Sequence, residues 1–95
     1  MLSFTVRMTF DQADHDAIAE ILCHLTEPSR KEPGCVSYIP HFVEGEAATV
    51  VIYEQYKDEA ALEFHRGTPH FHQYAIGGLY QKMKERQMEN LTAVC

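Results

Sequence analysis

The start of the chain alternates regularly between apolar and polar side chains. Over Leu2–Phe10 every second residue is apolar, and the residues between them are polar. A period of two is typical of a β-strand with one buried face. The pattern therefore predicts a first strand over Leu2–Phe10, with a buried face made of Leu2, Phe4, Val6, Met8 and Phe10.

A helical spacing of apolar residues follows and predicts a helix over residues 13–31. Asp11 and Asp14 precede the apolar positions and offer N-cap side chains. Proline cannot donate to the helical ladder, so we expect the helix to kink or restart at Pro28. The turn Glu32-Pro33-Gly34 is expected to end it. The apolar positions are Ala17, Ile18, Ile21, Leu22 and Leu25.

Two segments rich in β-branched and aromatic residues come next, Cys35–Val43 and Ala48–Lys57. The short turn Glu44-Gly45-Glu46 separates them, which predicts an antiparallel hairpin. Pro40 favours an edge or a bulge for the first of these strands. In the second, one face is predicted to carry Val50, Ile52, Glu54 and Tyr56, and the other Val51, Tyr53 and Gln55.

Two further helices are predicted after the hairpin. Asp58 is placed to cap a short helix, and Thr68 to cap the next one. Pro69 then takes the first helical position, where its missing N–H costs nothing. Gly77-Gly78 is expected to weaken or bend this second helix.

Residues 88–95 are predicted to close the chain as a last strand, with Leu91 and Val94 as its apolar members. The order β-α-β-β-α-β over residues 1–95 is a single α+β domain with a ferredoxin-like arrangement, in which an antiparallel sheet carries its helices on one face. The other face of the sheet is then open. We expect a second copy of the chain to cover it, giving a homodimer in which the two sheets face each other.

Charge and composition narrow the function. The formal net charge is −6 and no stripe of basic residues exists, so nucleic acid and anionic membranes are not expected partners. No apolar run is long enough to span a membrane, and no signal peptide is evident. The three cysteines form no disulfide or zinc pattern, which favours a cytoplasmic location. Cys35 is interpreted as a structural thiol rather than a nucleophile.

The densest chemistry lies between Tyr53 and Tyr74. His65 is placed near the C-terminal end of the short helix, where the helix dipole favours an imidazolium. It is a candidate general base lining a pocket, or else a packed histidine bonded to a backbone carbonyl. Glu54 lies in an apolar row of its strand, so its carboxylate has a function or a specific partner, unless that face forms a polar dimer seam. The tyrosines that could line a pocket, or simply fill the core, are Tyr38, Tyr53, Tyr56 and Tyr74.

A metal site and a nucleotide cofactor are both disfavoured. His70 and His72 diverge on a helix, and no nearby cysteine or carboxylate completes a ligand set with His65. The chain also lacks a GxGxxG motif and a P-loop. We therefore expect no metal and no cofactor, and a small molecule as the substrate.

Four segments carry a resemblance to a known family: Glu32–Tyr38, Tyr53–Tyr56, Ala61–His65 and Thr68–Phe71. Together they resemble the antibiotic biosynthesis monooxygenase (ABM) superfamily over nearly the whole chain. The resemblance implies a dimeric α+β barrel with a pocket in each subunit between helices and sheet. It also implies oxidation of a phenol or quinol by molecular oxygen without a cofactor, as in some members.

The resemblance also implies roles for individual residues. His65 matches the family histidine that would act as base, Glu54 matches a frequent acidic position, and Tyr56 stands where many members carry tryptophan. Tyr53, Tyr56 or Tyr74 would orient the substrate. The first strand has no asparagine of the kind found in the haem-degrading branch, so haem degradation is not expected.

Two other functions remain open at this point. The segment around Phe64-His65 and Thr68-Pro69-His70 is also similar to the isomerase that breaks down the phosphorylated autoinducer-2 signal. That reaction requires a phosphate-binding site, for which the candidate residues are Arg7, Lys57 and Arg66. The third reading is a non-enzymatic, dimeric small-molecule-binding module.

Overall fold

A computed structural model describes all 95 residues of the chain. Its strands are β1 (Leu2–Thr9), β2 (Cys35–Val43), β3 (Glu46–Tyr56) and β4 (Glu85–Leu91). They form one antiparallel sheet in the order β2-β3-β1-β4. The hairpin of β2 and β3 was predicted correctly, and Pro40 lies in an edge strand as expected.

The helices follow the predicted order. A 3₁₀ turn (Gln12–Asp14) leads into α1 (His15–Arg30), and α2 (Glu59–Arg66) follows the hairpin. We use α3 for the π-helical segment Phe71–Leu79 together with the α-helical turn Tyr80–Lys82. The α+β, ferredoxin-like arrangement is thus confirmed. No helix has both the length and the apolar character needed to cross a membrane.

The core lies between the helices and one face of the sheet. β1 buries every second residue, and the predicted face is correct, although Leu2 at its end is only half-buried. Helix α1 adds the predicted apolar row, except that Ala17 is exposed. Buried residues of the two elements are Phe4, Val6, Met8 and Phe10 in the first segment and Ile18, Leu22 and Leu25 in the helix.

Helix α1 does not restart at Pro28 but continues to Arg30. Pro28 lies in the last turn, so only one backbone bond of the ladder is lost. The Ser29 hydroxyl donates to the Leu25 carbonyl over 2.7 Å, which satisfies an acceptor in that turn. Of the two expected outcomes, a kink or a restart at Pro28, the restart does not occur.

Side-chain caps begin three of the helical segments as predicted. The Asp11 carboxylate accepts from the Ala13 N–H at 2.9 Å, and the Asp58 carboxylate accepts from the Ala61 N–H at the same distance. The Thr68 hydroxyl accepts from an N–H in the first turn of the last helix. Asp14 was expected to cap as well, but its side chain makes no such bond.

The last strand was misplaced by the sequence pattern. It was predicted over residues 88–95, whereas β4 covers Glu85–Leu91 and Val94 lies beyond it, 97% exposed. β4 is an edge strand, and Met88 is its one partly buried residue. An edge strand that buries so few side chains does not need to alternate between apolar and polar residues. The period of two that usually predicts a strand is therefore missing.

Helices α1 and α3 approach each other closely at Gly77-Gly78, the pair that was predicted to weaken or bend the last helix. The backbone there forms π-type hydrogen bonds. A Cβ on Gly78 would lie 3.2 Å from a methyl group of Ile21 in α1. The small residue thus permits the close approach of the two helices that form one side of the core.

Gly34 has a comparable role between the turn after α1 and the start of α2, because a Cβ there would overlap with the Cβ of Ala61. We expect Gly34→Ala to lower the free energy of unfolding by about 1–3 kcal/mol, the usual cost of overpacking. Gly67→Ala is the matched control, since its added Cβ would meet its nearest neighbours at an ordinary 3.6 Å. Urea denaturation of both variants measures the difference, and equal midpoints would contradict this account.

Candidate functional site

His65 lies at the meeting point of α2, α3 and the sheet, and its side chain is 2% exposed. It is held there by the Thr68 hydroxyl, which donates to the His65 carbonyl over 2.7 Å. Aromatic rings surround the imidazole, with centroid distances of 5.6 Å to Tyr38, 5.3 Å to Tyr56 and 5.2 Å to Phe71. Its position is therefore set by packing on every side.

A buried carboxylate, that of Glu32, holds one edge of the imidazole. The His65 Nδ1 lies 2.8 Å from Glu32 Oε2, and the His70 Nε2 lies 2.6 Å from the same oxygen. An ionised carboxylate can only accept, so each ring nitrogen donates a proton to it. In the neutral form of His65 the other nitrogen, Nε2, then carries the free lone pair.

A second buried carboxylate faces that lone pair. Glu54 Oε1 lies 3.9 Å from His65 Nε2 and accepts a 2.6 Å hydrogen bond from the Tyr56 hydroxyl. Burial raises the pKa of Glu54, although the Tyr56 hydrogen bond and the His65 charge oppose the shift. Burial also raises the pKa of Tyr56, together with the Glu54 charge, so the phenol remains a donor.

A cavity of about 30 Å³ lies beside these groups, between the inner face of the sheet and the helices. A volume of this order holds a water-sized or diatomic molecule. Most of its lining is apolar; the polar lining residues are Tyr38, Glu54, His65, Arg66, Tyr80 and Arg86. Among these the two arginines are exposed, so they mark the side of the cavity that faces solvent.

The remaining predicted substrate-binding residues lie elsewhere. Tyr53 is half-buried on the open face of the sheet, opposite Thr5 of β1. Tyr74 stacks on His24, with ring centroids 5.4 Å apart. Arg7 is exposed on the open face and forms an ion pair with Glu46. The structure does not bring these three to the cavity. Tyr56 does not line it either, but its hydroxyl donates to Glu54, which does.

Glu32 and His70 were missed as members of this site. The sequence pattern placed Glu32 in the turn that ends α1, and it set His70 aside because His70 and His72 diverge on a helix. The side chain of His70 is 18% exposed. The available signal was that Glu32, His65 and His70 all lie in the segments that carry the family resemblance.

Cys35 lies at the start of β2 and is half-buried. Burial, together with the negative charges of Glu32 and Glu54, raises the pKa of its thiol to about 11. A thiol with so high a pKa contains little thiolate at neutral pH and is a poor nucleophile. The interpretation of Cys35 as a structural residue is consistent with this environment.

The same cluster contains a possible ligand set for a metal. One ligand atom each from Glu32, His65 and His70 lies within 4.8 Å of the others. His72 is exposed and is not part of the group. The sequence argument against a metal depended on the absence of a carboxylate near His65, and that premise is wrong because Glu32 supplies one from 33 positions away.

Comparisons with known proteins identify the family and the fold of the chain. The family model described as "Antibiotic biosynthesis monooxygenase" matches residues 1–75. A 48-residue segment is 44% identical to the uncharacterised protein sll1783 of Synechocystis, and a 58-residue segment is 34% identical to the "Putative monooxygenase Rv0793" of Mycobacterium tuberculosis. These segments are 50% and 61% of this chain, and they span 33% and 56% of the two relatives.

The fold is shared with solved structures. The protein PA3566 of Pseudomonas aeruginosa superimposes with a TM-score of 0.89 at 28% identity, over 99% of this chain and 94% of that one. A structure named as an antibiotic biosynthesis monooxygenase gives a TM-score of 0.92 at 23% identity, with both chains fully covered. Because the family model spans most of the sequence, the chain belongs to the antibiotic biosynthesis monooxygenase family.

Proposed function

We propose that this protein is a cofactor-independent monooxygenase that oxidises a small aromatic or quinol-like molecule with O₂. The observation that carries the proposal is the orientation of His65. Its Nδ1 donates to Glu32 while its Nε2 faces Glu54 beside the cavity. A histidine oriented by a carboxylate, with its second nitrogen free, is the usual arrangement of a general base.

The chemistry begins with proton transfer. His65 Nε2 takes a proton from a hydroxyl group of the substrate, and the Glu32 carboxylate stabilises the imidazolium that forms. The electron-rich anion then passes one electron to O₂, and recombination of the two radicals forms a carbon–oxygen bond. For a hydroquinone the balance closes with one O₂, giving a hydroxyquinone and one water, so no external reductant is required.

The apolar lining suits this reaction. Leu62, Phe71 and Leu79 belong to it, and they exclude water from the anion and from reduced oxygen. The cavity of about 30 Å³ accommodates O₂ but not an aromatic ring. A ring would enter from the solvent side by displacing Tyr80 and Arg86, where the guanidinium lies 5.6 Å from the ring centroid of Tyr80.

One observation favours a second candidate, an isomerase of a small phosphorylated ketone. Arg66 and Arg86 both line the cavity, and arginine pairs well with phosphate oxygens. His65 could move a proton through an enediol in that reaction, with Glu54 or Tyr56 as its partner. Arg7 and Lys57, the other residues considered for the phosphate, are not part of the cavity lining.

We also propose that two copies pair through the open faces of their sheets. No helix covers that face, which carries half-buried Val51 and Tyr53 of β3 beside the exposed Ile39 of β2. Half-buried apolar residues on an uncovered sheet are typical of an interface. In this arrangement Tyr53 contributes to assembly rather than to substrate orientation.

The base assignment is tested by oxygen consumption with a panel of quinols and polyphenols. His65→Ala should reduce uptake at least about 100-fold, the usual contribution of a general base. His72→Ala is the matched control, because this exposed histidine lies outside the site and should leave uptake unchanged.

Circular dichroism must show that His65→Ala is folded, and undiminished uptake by the folded variant would exclude His65 as the base. If the wild-type protein consumes no oxygen with any of the quinols but converts a phosphorylated diketone, the isomerase is the correct function.

The buried carboxyl of Glu54 should make stability depend on pH. Because burial raises its pKa above the ordinary 4.5, the folded state holds the proton more tightly than the unfolded chain. The stability it contributes is therefore complete below pH 4.5 and is lost as pH rises through the raised value.

Glu54→Gln keeps an acceptor for Tyr56 without the charge, so it should melt at a higher temperature than wild type at pH 8. This advantage should shrink as pH falls towards 4.5. Glu89→Gln, at an exposed position of β4, should show no such pH dependence. If the difference in melting temperature between Glu54→Gln and wild type is the same at every pH, the raised pKa of Glu54 is contradicted.

The pairing of sheets is tested by light scattering coupled to size exclusion. We expect the wild-type protein to have twice the mass of the chain, and Tyr53→Glu to have the mass of a single chain, because a charge at a sheet interface is costly to bury. His72→Glu introduces the same charge on a helix away from the sheet and should remain dimeric. A wild-type protein of single-chain mass would refute the proposal.

A further inference from the structure

We infer that Glu32, His65 and His70 form a binding site for a first-row divalent transition ion, of which Zn²⁺ is the reference case. Their ligand atoms lie within 4.8 Å of one another. They come from three separate segments: the turn after α1, the end of α2 and the residue that precedes the π-helical part of α3. The fold therefore assembles a ligand set that no local motif contains.

The donor types select the class of ion. Two imidazole nitrogens and one carboxylate oxygen suit zinc and other first-row transition ions. Magnesium and calcium prefer sites made of oxygen ligands alone. Three protein ligands also leave a fourth position for water or a small anion, as in open zinc sites.

The distances require little movement. His65 Nδ1 and His70 Nε2 lie 2.8 Å and 2.6 Å from Glu32 Oε2, so both rings already point at the same oxygen. An ion with bonds of about 2.0–2.2 Å would take the place of the two shared protons. Each neutral ring then binds through that nitrogen, and its proton moves to the opposite nitrogen of the ring.

The surroundings support the ligands in their new state. With the ion on Nδ1, the proton of His65 lies on Nε2, which faces Glu54 Oε1 at 3.9 Å. A carboxylate that is hydrogen-bonded to a metal-bound histidine orients the ring and strengthens the bond, and here the 3.9 Å contact would shorten to form that hydrogen bond. The side chains of Glu32 and His65 are 4% and 2% exposed, whereas that of His70 is 18% exposed, so the ion would enter from the His70 side.

Metal binding has a consequence for the proposed reaction. An ion on Nδ1 converts Nε2 of His65 from a free lone pair into an N–H group, which cannot accept a proton. The ion should therefore inhibit the base-dependent chemistry. Binding itself is measured directly, so the inference stands or falls separately from the proposed function.

The experiment titrates the metal-free protein with Zn²⁺ by calorimetry and with Co²⁺ by visible absorption. We expect one ion per chain, and cobalt bands of the intensity found for tetrahedral or five-coordinate sites. Mg²⁺ should not compete with the ion. The absence of a one-to-one site for either probe would overturn the inference.

Two variants locate the ion. His70→Ala and Glu32→Gln should each weaken Zn²⁺ binding by at least about 100-fold, since loss of a ligand costs more than the 10–100-fold typical of a supporting residue. His72→Ala and His24→Ala remove exposed histidines outside the cluster and should retain wild-type affinity. Equal affinity in His70→Ala and wild type would show that the ion binds elsewhere.

The variant with the buried substitution is checked by circular dichroism. If Glu32→Gln fails to fold, His70→Ala decides alone, because its side chain is partly exposed and its loss should be tolerated.

Discussion

The arrangement of the site depends on a single buried carboxylate. Glu32 accepts hydrogen bonds from both His65 and His70, and it links the end of α1 to the corner between α2 and α3. An unpartnered carboxylate at this depth would cost several kcal/mol, and two charge-assisted hydrogen bonds offset that cost. The hydrogen bond to Nδ1 also leaves Nε2 of His65 free. The same interaction therefore holds the helices together and determines which nitrogen can accept a proton.

The sheet provides the opposite wall of the site. In β3 the inward row is Val50, Ile52, Glu54 and Tyr56, so a carboxylate occupies a position that the strand period directs into the core. Its partners are the Tyr56 hydroxyl and, at longer range, the His65 ring. Two buried carboxylates thus lie on either side of one imidazole, and the hydrogen bond from Nδ1 to Glu32 accounts for the orientation of the ring.

Small residues make this close arrangement possible. Gly34 lets the turn that follows Glu32 pack directly on Ala61 at the start of α2. Gly78 lets α3 approach α1. Side chains at either position would separate the segments that carry Glu32, His65 and His70. These two glycines therefore act on the site by permitting close approach rather than through backbone conformation, since the one positive φ in the chain belongs to Gly45.

Elements with a strong local pattern could be predicted from the sequence, and they all appear in the fold: the alternation of Leu2–Phe10, the apolar row of α1, the hairpin and the caps at Asp58 and Thr68. Local patterns also identified His65, from its place near the C-terminal end of the short helix, and Glu54, because a carboxylate in an apolar row needs a partner. The bounds of β4 were predicted wrongly, because an exposed edge strand buries no alternating row of side chains.

Which side chains contact His65 depends on how distant segments pack against each other. Glu32 lies 33 positions from His65, and no periodicity relates residues that far apart. Likewise, the helices cover one face of the sheet and enclose the cavity there, and this leaves Tyr53, Tyr74 and Arg7 outside it. Local patterns record which side of an element is buried, whereas a catalytic or metal-binding group is defined by the atoms that other elements bring to it.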